Sequence, residues 1–168
     1  MNVTDQKGRA QLLTGTIVKG VGGSYEIHLT EAGTVTAKPR GIFRKERTTP
    51  TIGDHVDVEL SGDPDIPYVI TAIHQRKNLM IRPSVANLDI MILTISPVSP
   101  APDFKLLDKL LILCEKQGIK PVIWITKMDL EEEETARIRT VYADAGFPVF
   151  TSSVDGFSDM AGIRDLFH

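Results

Sequence analysis

The residues best suited to chemistry are Thr126-Lys127-Met128-Asp129, which directly follow the apolar run 122–125. A short apolar run predicts a buried strand, so the motif falls at the carboxyl end of that strand, where open α/β sheets bind ligands. The Asp129 carboxylate can accept two hydrogen bonds side by side. Guanine presents two matching donors, at N1 and at the exocyclic N2, whereas adenine does not, and charge assistance strengthens each bond. The motif therefore predicts a guanine-nucleotide site.

A second polar loop is expected beside the first. An acidic stretch, 131–134, and helically spaced apolar residues predict a helix that Gly146 ends. The short strand 147–150 then leads to Thr151-Ser152-Ser153, which gives one βαβ unit with both loops on one rim. The predicted nucleotide-binding residues are Thr126, Lys127, Met128, Asp129, Ser152 and Ser153. We expect the Ser153 backbone N–H to bind the guanine O6 atom and the stem of Lys127 to lie along the base.

A structural alternative explains the same residues without a ligand. Asp129 has the side chain of a helix N-cap, and Ser152 and Ser153 could cap the following helix in the same way. The two interpretations are compatible, because a capping role removes the function and leaves the fold unchanged.

Composition narrows the class of protein. The 168 residues, 42% hydrophobic and 24% charged, predict a soluble protein of two small domains. The single cysteine, Cys114, excludes an intrachain disulfide and is expected to pack in a core. No apolar run is long enough to span a bilayer and no signal peptide is recognisable, so we expect a cytoplasmic protein with no membrane partner. The four scattered histidines predict no metal site, and no catalytic residue is predicted in this chain.

The first half is β-rich and the second half alternates strands with helices. Five runs with strand patterns, at 13–21, 25–29, 33–37, 53–60 and 68–73, are separated by glycine-rich turns and predict a five-stranded OB-type barrel over residues 1–77. Residues 78–87 are interpreted as a linker. From residue 88 to 168 the strands and helices predict a partial parallel α/β domain with right-handed crossovers.

Basic residues cluster between the third and fourth predicted strands, in the segment 38–47, around one aromatic residue. Such a cluster suits phosphate contact, and an aromatic ring can stack on a base. The predicted RNA-binding residues are Lys38, Arg40, Phe43, Arg44, Lys45, Arg47, Arg76 and Lys77. The alternative is a solvated loop that keeps the domain soluble. Because aromatic residues are few, recognition of the shape of a folded RNA is favoured over base reading.

A phosphate cradle is missing from the sequence. No Gly-x-x-x-x-Gly-Lys-[Ser/Thr] pattern occurs in the 168 residues, so the β- and γ-phosphates and Mg²⁺ have no holders here. The usual GTPase order places that loop before the guanine-reading motif. Either the order is permuted or the chain is not a GTPase.

Several motifs together carry a family resemblance. They are Gly41-Ile42-Phe43-Arg44-Lys45, Gly53-Asp54-His55-Val56, Arg76-Lys77-Asn78, the segment 82–89 that joins the two halves, Pro102-Asp103-Phe104, Thr126-Lys127-Met128-Asp129 and Ser152-Ser153. From about residue 11 onward the chain resembles the circularly permuted, ribosome small subunit-dependent GTPases of the RsgA (YjeQ/YloQ) family.

The resemblance implies an N-terminal OB barrel, a permuted P-loop GTPase domain whose guanine-reading loops come first, and a C-terminal zinc domain. It implies GTP hydrolysis to GDP in late maturation of the small ribosomal subunit, with that subunit and its rRNA as partners of a monomer. Mg²⁺ and a structural Zn²⁺ are implied for the intact protein only. Ser153 stands where the family usually has alanine, which is tolerable because a backbone N–H makes the contact. We expect the chain to be the N-terminal fragment of such a GTPase and inactive alone. The alternative function is a nonenzymatic OB-fold RNA-binding module with a structural α/β half.

Overall fold

A computed structural model describes residues 12–41, 43, 48–157 and 160–166. The chain divides into two compact units, residues 1–88 and 89–168. Among the described residues, the helices are all too short or too polar to cross a bilayer.

The first unit is a closed barrel of five strands. These are β1 (Leu13–Val21), β2 (Ser24–Leu29), β3 (Gly33–Pro39), β4 (His55–Asp63) and β5 (Ile66–Ile73). They pair in the order β1-β2-β3-β5-β4, and β4 closes the barrel onto β1. All pairs are antiparallel except β3 with β5. This connectivity confirms the predicted OB-type barrel.

The barrel strands coincide with stretches in which inward-facing apolar residues alternate with outward-facing ones, and glycines lie in the turns between strands. In β4, Val56 and Val58 point inward and are fully buried, while Asp57 between them faces outward. Gly22 and Gly23 both have positive φ angles, 58° and 80°, which suits the two-residue turn between β1 and β2. The barrel core consists of Ile17, Ile27, Leu29, Ala37, Phe43, Val56, Val58 and Ile70.

Residues 78–87, which were predicted to be a linker, are an ordered part of the first unit. β6 (Leu79–Met80) and β7 (Val85–Ala86) form a small antiparallel hairpin. Met80 and Ala86 are buried, and the Asn87 side-chain amide donates to the Gly53 carbonyl at 2.8 Å. The linker prediction was wrong because each strand has only two residues, too few for a hydrophobic period to be visible.

The second unit is a parallel α/β sheet. Its elements are β8 (Ile90–Ile95), α1 (Phe104–Gln117), β9 (Lys120–Ile125), a 3₁₀ turn (Met128–Leu130), α2 (Glu132–Asp144), β10 (Val149–Ser153), β11 (Gly156–Phe157) and α3 (Met160–Asp165). The sheet order is β11-β10-β9-β8. β8, β9 and β10 run parallel, as predicted, and β11 adds an antiparallel edge strand that the sequence did not indicate.

The two longer helices have ends that their sequences explain. The Asp103 side chain caps α1 by accepting from the Leu106 N–H at 3.0 Å, and Gly118 ends that helix in the left-handed conformation. Three glutamates occupy the first turn of α2, where the helix dipole favours negative charge. Both helices pack on the sheet over a core of Leu93, Leu107, Leu111, Ile123, Ile125, Ile138 and Tyr142. Cys114 is buried, as expected for a packing residue.

Candidate functional site

Two polar loops lie side by side at the carboxyl edge of the second sheet. β9 and β10 are adjacent parallel strands, and Ile125 is in register with Thr151. Thr126 and Ser152 are therefore the next residues on neighbouring strands, which lie about 4.8 Å apart in a sheet. The tertiary structure thus brings the two predicted loops to one rim.

The first loop has a constrained backbone. The Thr126 N–H and hydroxyl both donate to the Ile95 carbonyl of β8, at 2.8 and 3.1 Å. Lys127 adopts the left-handed conformation, with φ 57° and ψ 39°, which is uncommon for a residue with a side chain. Its carbonyl accepts from the Leu130 N–H at 3.1 Å, which closes the 3₁₀ turn. Backbone strain of this kind, about 1–3 kcal/mol, concentrates at functional sites.

Asp129 lies exposed in that turn. Among the residues that the structure describes, its carboxylate accepts no hydrogen bond and forms no salt bridge. The residue that precedes α2 is Glu131, and no side chain caps the helix there. The capping interpretation of Asp129 is therefore wrong, and both carboxylate oxygens are open to a ligand.

The serines of the second loop do not cap a helix either. Ser152 is buried, and its hydroxyl oxygen accepts from the Trp124 indole N–H at 2.9 Å. Ser153 is paired with Gly156 in the β10–β11 hairpin, and its hydroxyl oxygen accepts from the Asp155 N–H. Both serines thus belong to β10, so the capping interpretation fails for them as well.

Two open clefts adjoin the loops without joining them. A cleft of about 680 Å³ is lined by β8, the first half of α1, Thr126 and Lys127. A second, of about 630 Å³, is lined by one side of α2, Met128 and Thr151. Asp129, Ser152 and Ser153 line neither. The six predicted residues therefore share a rim but do not enclose a single cavity.

Three contributors to the rim were not predicted. The Lys127 ammonium donates to the Ser99 carbonyl at 2.6 Å, in the loop that follows β8. The Trp124 indole N–H donates to the Ser152 hydroxyl oxygen, as described above. Ser96, at the carboxyl end of β8, could have been found by the rule that placed the motif after β9, because carboxyl ends of parallel strands share an edge.

The predicted RNA-binding residues have diverse surroundings. Lys38 and Lys77 are exposed. Arg40 forms a salt bridge with Glu59 at 2.7 Å. Arg44, Lys45 and Arg47 lie outside the described residues.

Two of those predictions need correction. Phe43 is only 7% exposed and packs in the barrel core, so the prediction that its ring stacks on a base was wrong. Arg76 binds the fully buried Asp54 through two hydrogen bonds of 2.7 and 2.8 Å, and it also donates to the Thr49 carbonyl. The side-chain hydrogen bond to Asp54 raises the pKa of Arg76. Because the Arg76 guanidinium neutralises the buried Asp54 carboxylate, we assign Arg76 a structural role.

Comparison with known proteins identifies the family. The family model for the RsgA GTPase matches residues 73–168, and the model for the RsgA N-terminal domain matches residues 14–65. The chain belongs to the RsgA GTPase family. The first of these matches covers both loops of the rim, and the second covers most of the barrel.

Relatives within the RsgA family are similar over most of this chain. The small ribosomal subunit biogenesis GTPase RsgA of Alkaliphilus metalliredigens is 36% identical over 153 residues, which is 90% of this chain and 51% of that protein. The protein of the same name from Bacillus anthracis is 39% identical over 145 residues, 84% of this chain and 48% of that protein. The chain spans about half the length of the curated relatives that it matches.

Solved RsgA-type structures share the fold. YloQ, described as a circularly permuted GTPase, superposes with a TM-score of 0.71 at 30% identity, covering 93% of this chain and 55% of that chain. YjeQ from Thermotoga maritima superposes with a TM-score of 0.73 at 28% identity, covering 94% and 56%. The barrel followed by a parallel α/β unit is therefore the arrangement of this family.

Proposed function

We propose that this RsgA-family chain reads the guanine base of GTP and GDP, and that a protein of its relatives' full length hydrolyses GTP during maturation of the small ribosomal subunit. One observation carries the proposal: the exposed Asp129 carboxylate, free of partners among the described residues, stands on the same sheet rim as Ser152 and Ser153. The names of the relatives support the biological process.

In this proposal the chain's own residues select the base. Asp129 accepts from guanine N1–H and N2–H₂, the Ser153 backbone N–H donates to O6, and the stem of Lys127 covers one face of the ring. Thr126 fixes the loop through its two hydrogen bonds to β8. Adenine would leave the carboxylate without donors, and a site with unpaired polar groups discriminates strongly against such a ligand.

The hydrolytic step needs residues that this chain does not supply. Mg²⁺ would neutralise charge on the phosphates of bound GTP, and the family resemblance also implies a structural Zn²⁺. Among the described residues, no cluster of three or more His, Cys, Asp or Glu side chains is placed to hold a metal ion. The described residues therefore do not fit either ion, and no catalytic step is assigned through Mg²⁺ or Zn²⁺.

The base-reading proposal is tested by Asp129→Asn. Loss of two charge-assisted hydrogen bonds should weaken GDP and GTP binding about a hundredfold or more. Xanthine nucleotides, whose C2 carbonyl needs a donor, should bind the variant as well as or better than the parent protein. The ¹⁵N-labelled chain is titrated with GDP and with xanthosine diphosphate (XDP). NMR chemical-shift changes then give the dissociation constants, into the millimolar range. Asp65→Asn, at an exposed aspartate in the β4–β5 turn, is the matched control. Equal loss of both nucleotides would contradict base reading.

For the barrel we propose contact with the rRNA of the small subunit, through Lys38, Arg40, Arg44, Lys45, Arg47 and Lys77. Charge reversal of Arg44, Lys45 and Arg47 together should weaken subunit binding and flatten its salt dependence, because fewer counterions are released. Lys105→Glu, Lys109→Glu and Lys116→Glu together, three exposed lysines on α1, give the same change in total charge and serve as the control. An unchanged salt slope would place the RNA surface elsewhere. We also propose that the protein is cytoplasmic and monomeric.

The second candidate is a nonenzymatic RNA-binding module. It is favoured by the barrel, which closes on itself and has its own core within the first unit. The genomic reading frame discriminates between the two. A continuation after codon 168 into a Gly-x-x-x-x-Gly-Lys-Ser loop supports the GTPase, and a stop codon there supports the module.

A further inference from the structure

Ser96 lies at the carboxyl end of β8 and organises the loop that follows. It is 6% exposed, and its hydroxyl oxygen accepts from the backbone N–H groups of Val98 and Ser99, at 3.4 and 3.2 Å. A buried hydroxyl that accepts from residues two and three positions ahead fixes a turn, as serines do at loop starts. The position of Ser99 is therefore set by the Ser96 side chain.

The carbonyl of Ser99 in turn holds Lys127. The distance from the Lys127 ammonium nitrogen to that carbonyl oxygen is 2.6 Å, a short bond to a charged donor. The left-handed backbone of Lys127 is anchored on one side by Thr126 and on the other by the 3₁₀ turn. One hydrogen bond thus decides where the ammonium group rests.

The resting place of that ammonium group matters for Asp129. The two residues are two positions apart in one tight turn, and an unrestrained ammonium could pair with the carboxylate. Such a pair would occupy the oxygens that guanine must use. In the structure the Lys127 ammonium instead donates to the loop after β8, and Asp129 forms no salt bridge with any described residue.

We propose that Ser96 is a positioning residue for guanine recognition: it shapes the 97–99 turn so that the Ser99 carbonyl tethers Lys127 and keeps Asp129 free for the base. The inference rests on the proposed function, and it adds a third loop, from β8, to the two loops already described. Ser96 touches neither the base nor Asp129 in this mechanism and acts only through Lys127.

The test is a double-mutant cycle with Ser96→Ala and Lys127→Met. Ser96→Ala should raise the dissociation constant for GDP about three- to tenfold, the range expected for loss of neutral hydrogen bonds. In the Lys127→Met background the same substitution should have no effect, because there is no ammonium group to misplace. Thr36→Ala removes an exposed hydroxyl from β3 of the barrel, and this variant should bind GDP like the parent chain.

A second measurement needs no nucleotide. NMR relaxation of the Lys127 Cε and Nζ nuclei should show an ordered ammonium group in the parent chain and a mobile one in Ser96→Ala. Unchanged order would overturn the tether even if Ser96→Ala weakened binding by disturbing the fold.

The outcomes separate this inference from the proposed function. If the parent chain binds no GDP, or if Asp129→Asn leaves the preference for guanine over xanthine intact, both fail together. If Asp129→Asn switches the preference as expected but Ser96→Ala binds normally, only the positioning role fails. It also fails alone if Ser96→Ala costs the same affinity with and without the Lys127 amine.

Discussion

The approach of Gly53 to the β6–β7 hairpin makes a quantitative prediction possible. Gly53 has φ +86°, and a Cβ atom built on it would lie 2.1 Å from the Ala86 carbonyl oxygen. Such a contact is far inside any real Cβ separation, so Gly53→Ala must displace the strand that carries Ala86. Gly22, in the β1–β2 turn, also has a positive φ, +58°, but an added Cβ there would meet nothing within 4 Å.

Comparing the alanine variants of Gly22 and Gly53 separates the cost of backbone strain from the cost of a steric clash. An L-residue in the left-handed region costs about 1–2 kcal/mol, partly offset by the smaller freedom of the unfolded chain. Gly22→Ala should therefore lower the free energy of unfolding by about 1 kcal/mol. Gly53→Ala has the same strain and must also disturb three backbone-linked hydrogen bonds of 2.8 Å, from Gly53 to Ile17, from Ala86 to Ile52 and from the Asn87 amide to Gly53. At about 1 kcal/mol each, the total destabilisation is about 3–5 kcal/mol.

Native-state hydrogen exchange of the barrel amides measures this difference. The loss of protection in Gly53→Ala should exceed that in Gly22→Ala by about 3 kcal/mol. If the two variants lose the same protection, β7 does not pack against Gly53 and the hairpin is not an integral part of the first unit.

Two further substitutions test buried groups. Tyr142 is mostly buried and donates to Asp108 at 2.9 Å; burial first, and that hydrogen bond second, raise its pKa to about 12 from the usual 10.0. Because the raised value belongs to the folded state, the stabilisation is complete below pH 10 and is lost between pH 10 and about 12. The free energy of unfolding, measured by urea denaturation across that pH window, should fall by about 2–3 kcal/mol in the parent chain and by less in Tyr142→Phe. The same fall in both proteins would refute the assignment of this pH dependence to Tyr142. Asp54→Asn should lower the unfolding free energy by about 3–5 kcal/mol, because Arg76 loses its buried partner, and a cost below about 1 kcal/mol would show that the pair is not structurally important.

The strands and helices could be predicted from the sequence because they depend on the periodicity and end residues of short local segments. The alternation in β4 places Val56 and Val58 inside, and Asp103 and Gly118 begin and end α1 as their residue types favour. The placement of the motif 126–129 also followed from local order, since a parallel sheet brings the carboxyl ends of its strands to one edge.

Contacts between distant segments were decided only by the tertiary structure. Phe43, set among basic residues, reads as a surface aromatic, yet closure of the barrel buries it. Arg76 meets Asp54 across 22 positions, and Lys127 meets Ser99 across 28. Periods of 2 and 3.6 residues show which side of one element is apolar, but they do not show which other segment will cover a given side chain. That choice belongs to the closed barrel and the completed sheet, where packing and hydrogen bonding of the whole unit select the partner.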